Sequence, residues 1–181
     1  MLLKRPLYVL TYLLLGVTLF LSGCGFQLRG TGVDSIKLEQ IRLSSNEINS
    51  PIYRQLRDTL EAEGVEVTDT ARYHLQLLES RNERSALSYT GRASAAEIEI
   101  RQYLTFQITD TEGRVLIGPE TLTTQRVYIN DRDNIVGTGE EEDLLIREMR
   151  QDMTRQMLFR LASLTESDLA AREQALDSRA P

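Results

Sequence analysis

The chain has 181 residues, with 21 Lys and Arg against 27 Asp and Glu, no tryptophan, one cysteine and one histidine. That length supports one domain with one core, and the acidic balance excludes a general nucleic-acid binder. A lone Cys and a lone His exclude an intramolecular disulfide, a thiolate zinc cluster and a His-pair metal site.

The first charges, Lys4 and Arg5, precede an apolar run from Leu7 to Leu21. The run is shorter than the roughly 20 residues a membrane-crossing helix needs, and it ends in small residues, as a secretory signal does. Leu21-Ser22-Gly23-Cys24 matches the lipoprotein signal motif in full. The thiol of Cys24 takes a diacylglyceryl group, and small flanking residues let the peptidase reach the bond before it. With S-diacylglycerol and N-palmitoyl groups both on Cys24, the protein carries more than one acyl chain, which passes the threshold for stable anchoring. The alternative is an ordinary cleaved signal with an incidental cysteine. Gly25 follows Cys24 in place of an inner-membrane-retaining Asp, which favours the outer membrane. The reading divides the chain into a signal peptide (1–23), a lipidated tether (24–35), a single α/β sandwich domain (36–164) and a polar C-terminal tail (165–181). A form beginning at Cys24 keeps 19 basic against 27 acidic side chains, a net charge of about −8.

Within the domain, Ile36 and Leu38 alternate on one parity, and Ile41 and Leu43 on the other. A bulge at Glu39-Gln40 would keep all four on one face of the first strand. Ser50-Pro51 is a helix start, Ile52, Leu56 and Leu60 form a stripe spaced by four, and Gly64 is placed to end the helix. From Val65 the period becomes two, with Ala71, Tyr73, Leu75 and Leu77 on one face and Arg72, His74 and Gln76 on the other. Ala96, Ile98, Ile100, Leu104, Phe106 and Ile108 make a longer alternation, opposed by Glu97, Glu99, Arg101, Thr105, Gln107 and Thr109. Asp110 to Gly113 is a hairpin signal, and Gly118-Pro119 marks the next strand as bulged or at an edge. Thr138 and Glu141 have capping-box spacing ahead of a stripe of Leu145, Met149, Met153, Met157 and Leu161. Beyond Thr165 the apolar spacing thins, which reads as a fraying helix end or a disordered tail. The predicted fold is α+β: a four-stranded, mostly antiparallel mixed sheet with two helices packed on one face, in the order β-α-β-β-β-α.

Little in this pattern supports an enzyme. His74 is the one base that titrates near neutrality, and it falls on the polar side of a strand. Glu140 to Asp143 are consecutive helical residues whose carboxylates diverge, so they cap a helix better than they hold a cation. Gly137-Thr138-Gly139 lacks the Gly-Lys-Ser/Thr of a phosphate loop. Arginine suits bidentate phosphate contact, and two groups stand out. Arg81, Arg84 and Arg92 fall in a polar connection between the second and third strands, expected as a strand-tip loop. Arg126 and Arg132 form a second group beside Asp131 and Asp133.

The run Cys24-Gly25-Phe26-Gln27-Leu28-Arg29-Gly30 resembles the start of the LPS-assembly lipoprotein family LptE, and Glu142 to Met149 is similar to the opening of that family's last helix. The resemblance implies a non-enzymatic subunit that sits inside a large outer-membrane β-barrel of the LptD type and helps place lipopolysaccharide in the outer leaflet. It also implies contact with lipopolysaccharide through basic residues near the strand-tip loops. Arg92 is nearest to the family's basic position before the long third strand; the second basic position falls near Thr138, which is not basic. The implied partners are the barrel, lipopolysaccharide and the membrane through the lipid anchor, with no nucleic acid and no metal. The other reading is a free periplasm-facing lipoprotein that binds an amphiphile or chaperones a secretion component.

Overall fold

The computed structural model describes residues 36–47, 50–89, 91, 95–131 and 134–178, all within the unit Val33–Pro181. Cys24, Arg92 and Arg132 lie outside the described residues, as do the signal peptide and the whole tether. The elements in order are β1 (Gln40–Ser45), α1 (Pro51–Ala62), β2 (Glu66–Val67), β3 (His74–Tyr89), β4 (Ala95–Thr109), β5 (Val115–Ile129), α2 (Ile135–Ala162) and α3 (Glu166–Asp177). The sheet runs β2-β1-β3-β4-β5; β1 is parallel to both its neighbours and the other pairs are antiparallel. The α+β class read from the sequence holds, with one strand and one helix more than expected.

The parity change in β1 falls in a bend at Glu39, just ahead of the strand, so Leu38, Ile41 and Leu43 are all buried with no bulge needed inside it. α1 buries Ile52, Leu56 and Leu60, and Gly64 follows it at φ +87°, where a side chain would be strained. Ala71, Tyr73, Leu75 and Leu77 do share one buried face. A turn between Thr68 and Ala71 nevertheless splits the stretch, so Glu66–Val67 pairs with the far edge of β1 and β3 begins at His74. Facing the core requires only a parity, not a ladder, which is why the alternation runs through the break.

β3 then continues as strand to Tyr89, which replaces the expected loop around Arg81 and Arg84 with a long hairpin. A register shift between Leu77 and Glu79 inverts the parity, so Ser80, Asn82, Arg84 and Ala86 follow Leu75 and Leu77 on the helix side. In β4 the residues Ile100, Leu104, Phe106 and Ile108 are buried as predicted. The Asp110 carboxylate organises the next hairpin by accepting hydrogen bonds from the N–H groups of Glu112 and Arg114, both at 2.9 Å. Gly118-Pro119 is both bulge and edge: β5 has a neighbour on one side only, and the register slips between Ile117 and Glu120. A Cβ on Gly118 would stand 2.8 Å from the carbonyl oxygen of Phe106, so glycine is required by close approach as well as by its φ of +91°.

α2 begins one turn earlier than its sequence signal. Asn134 is the N-cap, its side chain accepting from the N–H of Gly137 at 3.2 Å, while the Thr138 hydroxyl donates to the carbonyl of Asp131. The expected Thr138–Glu141 capping box is therefore absent, and Glu140 to Asp143 lie past the first turn, where the helix dipole has largely faded. The stripe Met149, Met153, Met157 and Leu161 is fully buried. The expected tail is a separate helix: Thr165 and Asp168 form a capping box at the start of α3, and Leu169 is buried. Thr165-x-x-Asp168 ahead of Leu169 was the signal for it, outweighed in the sequence by the charges that follow.

Most of the core lies between α1, α2, α3 and the lower sheet, around Phe106, Leu56, Leu75 and Met157. A second, small cluster of Ile100, Tyr128 and Met149 lies under the upper sheet, where α2 alone provides cover.

Candidate interaction surfaces

Sheet parity sends the three described candidate arginines to opposite faces. Arg81 pairs across the ladder with Tyr103 on the face that no helix covers, its guanidinium 4.1 Å from the ring centroid. It also holds Glu83, and Glu79 at 3.5 Å. Arg84 is opposite Ile100 and so faces α2. It donates to the Tyr128 hydroxyl at 2.6 Å and pairs with Glu142 at 2.9 Å, and that hydroxyl in turn donates to Glu142 at 2.7 Å. Burial pushes the Tyr128 phenol above its ordinary range, and Glu142 pushes the same way against the opposing pull of Arg84. Arg126, also on the helix face, pairs with Asp152, which holds Arg155 as well. Arg84 and Arg126 thus tie the upper sheet to α2, and each of the three already has a carboxylate partner.

The ends of β3 and β5 and the starts of β4 and α2 meet at one tip of the molecule. The chain connections that carry Arg92 and Arg132 join these ends. Beside them stand exposed apolar side chains: Tyr89 at 67%, Ile129 at 69%, with Leu87, Ile135 and Val136 also open to solvent. A cluster of exposed apolar residues at one end marks a contact surface more often than an accident of composition. The sequence did not single these residues out, because each is an ordinary strand or helix position; only the shared tip brings them together.

The uncovered sheet face is mainly polar, with exposed Val127 and Ile129 at its upper end. Thr105 and Thr121 share a hydroxyl hydrogen bond at 2.9 Å, Arg101 pairs with the buried Glu99, and Ser44, His74, Gln76 and Gln107 form a chain. In that chain the Gln76 oxygen accepts from Gln107, so its amide nitrogen faces Nδ1 of His74 and can only donate. Nδ1 is then the acceptor and Nε2 carries the proton, which it donates to the Ser44 hydroxyl at 2.7 Å. In that tautomer the ring cannot take the serine proton, and burial holds it neutral by pushing its pKa down, with Arg42 adding to the effect. Among the described residues no group of three or more His, Cys, Asp or Glu is placed to hold a metal ion, and no helix is long and apolar enough to cross a membrane.

These features define a class: a small α+β sandwich, helices on one side and an open polar sheet face on the other, with an apolar tip. The chain belongs to the LptE family, whose model, described as lipopolysaccharide-assembly, matches residues 33–161. Membership makes it a membrane-associated lipoprotein involved in lipopolysaccharide assembly. It is similar to the LPS-assembly lipoprotein LptE of Pectobacterium atrosepticum, 27% identical over 172 residues that cover 92% of each chain. The crystal structure of rare lipoprotein B from Shewanella oneidensis is similar with a TM-score of 0.57 and 26% identity, covering 76% of this chain and 98% of that one. The solution structure of a lipoprotein B from Nitrosomonas europaea shares the fold at a TM-score of 0.67 and 18% identity, covering 81% and 96%.

Proposed function

We propose that this protein works without catalysis, as an outer-membrane lipoprotein that seats as a plug inside a large LptD-type β-barrel and contacts lipopolysaccharide during its assembly at the cell surface. The observation that carries the reading is the uncovered sheet face. A barrel lumen is polar, and a plug within it needs an outer surface that exchanges hydrogen bonds with the wall without a large apolar seam. The threonine, glutamine and paired-charge ladder along β3, β4 and β5 is such a surface, and family membership supplies the context of lipopolysaccharide assembly. Affinity purification from a detergent extract of outer membrane tests it. A stoichiometric complex with a large barrel protein is expected; a protein recovered alone would instead favour the free lipoprotein that binds an amphiphile or chaperones a secretion component.

Anchoring rests on Cys24. Replacing it with serine removes the thiol that accepts the diacylglyceryl group, so Cys24→Ser is expected to abolish both fatty-acid labelling and signal removal while the domain still folds. Continued incorporation of labelled palmitate into the variant would sink the assignment.

Lipopolysaccharide carries phosphates and acyl chains together, and the tip offers the matching pair of chemistries. By sequence, Arg92 and Arg132 belong to the connections that join the element ends there, with Tyr89, Ile129 and Val136 as the exposed apolar component. Arg81, Arg84 and Arg126 contribute less, because pairing with Glu83, Glu142 and Asp152 already engages them. A charge-assisted contact is worth about 1.5–3 kcal/mol, so Arg92→Asp is expected to weaken lipopolysaccharide binding by roughly tenfold or more. Circular dichroism and barrel co-purification should be unchanged. Full binding by the Arg92→Asp, Arg132→Asp double variant would remove the tip from consideration.

A further inference from the structure

The face of the sheet that carries the helices is incompletely covered. Where α1 begins, a cleft of about 90 Å³ remains between that helix end, α2 and the polar residues that follow the β3 bulge. Ser50 and Ile52 close one end, Ser80, Asn82 and Gln102 lie along the sheet side, and Arg150 and Met153 stand on α2.

Three separate features converge there. The start of α1 is uncapped: Pro51 has no N–H, the Ser50 side chain makes no capping hydrogen bond, and the first turn holds no acidic residue. The amides of Ile52 and Tyr53 therefore point outward without a partner among the described residues. Ser50 and Gln102 are buried, at 7% and 8% exposure, yet neither side chain has a hydrogen-bond partner among the described residues. Their polar atoms are not sealed off, so what exposure they keep is toward the cleft they line, where an occupant can take their hydrogen bonds. Arg150, unlike Arg84 and Arg126 on the same side of the sheet, has no ion pair among the described residues, and no carboxylate lines the cleft.

We propose that this cleft binds a phosphate group. The N-terminus of a helix favours an anion through its free N–H groups and its dipole. A guanidinium adds charge-assisted donors from the α2 side, and the Gln102 and Asn82 amides add donors from the sheet. Donors arriving from three directions suit a tetrahedral oxyanion better than a planar carboxylate. The phosphate comes either from the free ion or from the headgroup of a phosphate-bearing lipid. The site is distinct from the tip arginines and does not depend on the function proposed above.

The test uses the full-length protein purified from membranes in detergent, titrated with inorganic phosphate. The amide signals of Ile52 and Tyr53 and the Gln102 side-chain NH2 are expected to shift, and chloride at matched ionic strength is expected to leave them in place. Arg150→Ala should fold normally and bind phosphate about tenfold more weakly or worse. Ser50→Asp puts a fixed carboxylate at the helix start, so it should melt higher than the parent without phosphate and gain nothing when phosphate is added. Vesicles of phosphatidylcholine containing phosphatidic acid identify the source. Competition with inorganic phosphate upholds the site and assigns it to a lipid headgroup, whereas binding of the free ion alone upholds it as a small-anion site. Absence of any phosphate-dependent shift, equal shifts with chloride, or parental affinity in the Ser50→Asp, Arg150→Ala double variant would each overturn the proposal.

Discussion

Met153→Asp is expected to cost several kcal/mol, enough to leave much of the domain unfolded. Met153 is 2% exposed on the stripe of α2 that faces the sheet, in the cluster that also contains Ile52 and Leu104. An aspartate there gives up the packing of the thioether in the core cluster, and the cation within one turn of it on α2 is Arg150 in the neighbouring cleft, so the carboxylate must reach that guanidinium, take up a proton or be buried unpaired. Single substitutions above about 4 kcal/mol are exceptional, and a buried unpaired charge is one of the few causes that reach it. The contrast is Met153→Leu, a nearly volume-conserving swap expected to cost less than about 1.5 kcal/mol. Arg155→Ala removes only a surface pair with Asp152 and should stay within about 0.5 kcal/mol. Urea denaturation of the three variants orders them; Arg155→Ala ranking below Met153→Asp in stability would reverse the assigned face of α2.

Asp110→Ala is the second substitution expected to be severe, by about 3 kcal/mol, because it breaks a buried pair and leaves its partners behind. The carboxylate is almost fully buried and accepts from two backbone N–H groups and, at 2.6 Å, from Nε of Arg114. Arg114 in turn reaches Asp177, so the same carboxylate helps hold α3 against the end of the sheet. Burial alone would raise the Asp110 pKa, but the N–H groups of Arg114 and Glu112 and the guanidinium of Arg114 outweigh it and hold the group below its ordinary 3.8. A carboxylate depressed in the folded state contributes stability that is present above 3.8 and is lost as pH falls through the folded value. His74 acts in the same direction at higher pH. Its pKa is depressed, so below 6.5 the unfolded chain takes up the proton first and stability declines. Thermal melts should therefore fall from neutral pH toward acid in two stages, and Asp110→Ala should shrink the lower one, to which Glu120 beside Arg160 and Asp168 at its cap also contribute.

Strand and helix faces were legible in the sequence because burial imposes a period that survives any detail of pairing. Ile100, Leu104, Phe106 and Ile108 read as one face and are one face, and so do Met149, Met153 and Met157. What the period could not show was where ladders start and stop. The break before His74 leaves the parity of Tyr73 and Leu75 intact, and the extension of β3 to Tyr89 carries polar residues on both faces, so neither has an apolar signature. The candidate arginines illustrate the same limit. Their residue type pointed to phosphate, but a register shift beside Leu78 decides that Arg84 faces α2 while Arg81 faces outward, and no one-dimensional pattern contains that shift. The lipoprotein motif at Cys24 was readable because it is a linear signal, made to be recognised before folding. Arg150, with no ion pair among the described residues, carried no linear signal at all; its setting comes from three elements far apart in the chain.

The division of the interior into a large cluster and the small group of Ile100, Tyr128 and Met149 means that resistance to opening is graded along the sheet. β1 accompanies β3 only as far as the pair Ser45 and Leu77, so among the described residues the upper hairpin has no strand on that side and rests on three buried side chains and the Arg84–Glu142 and Arg126–Asp152 pairs. Freeing it exposes little apolar surface and leaves the base closed, so amide exchange in the upper hairpin runs ahead of exchange at Leu75 and Phe106. Anything that grips the tip has that segment to stiffen. Slower exchange at Ile98 and Tyr128, with the base unchanged, is the signature of a bound wall or ligand that contributes order where the chain by itself has least.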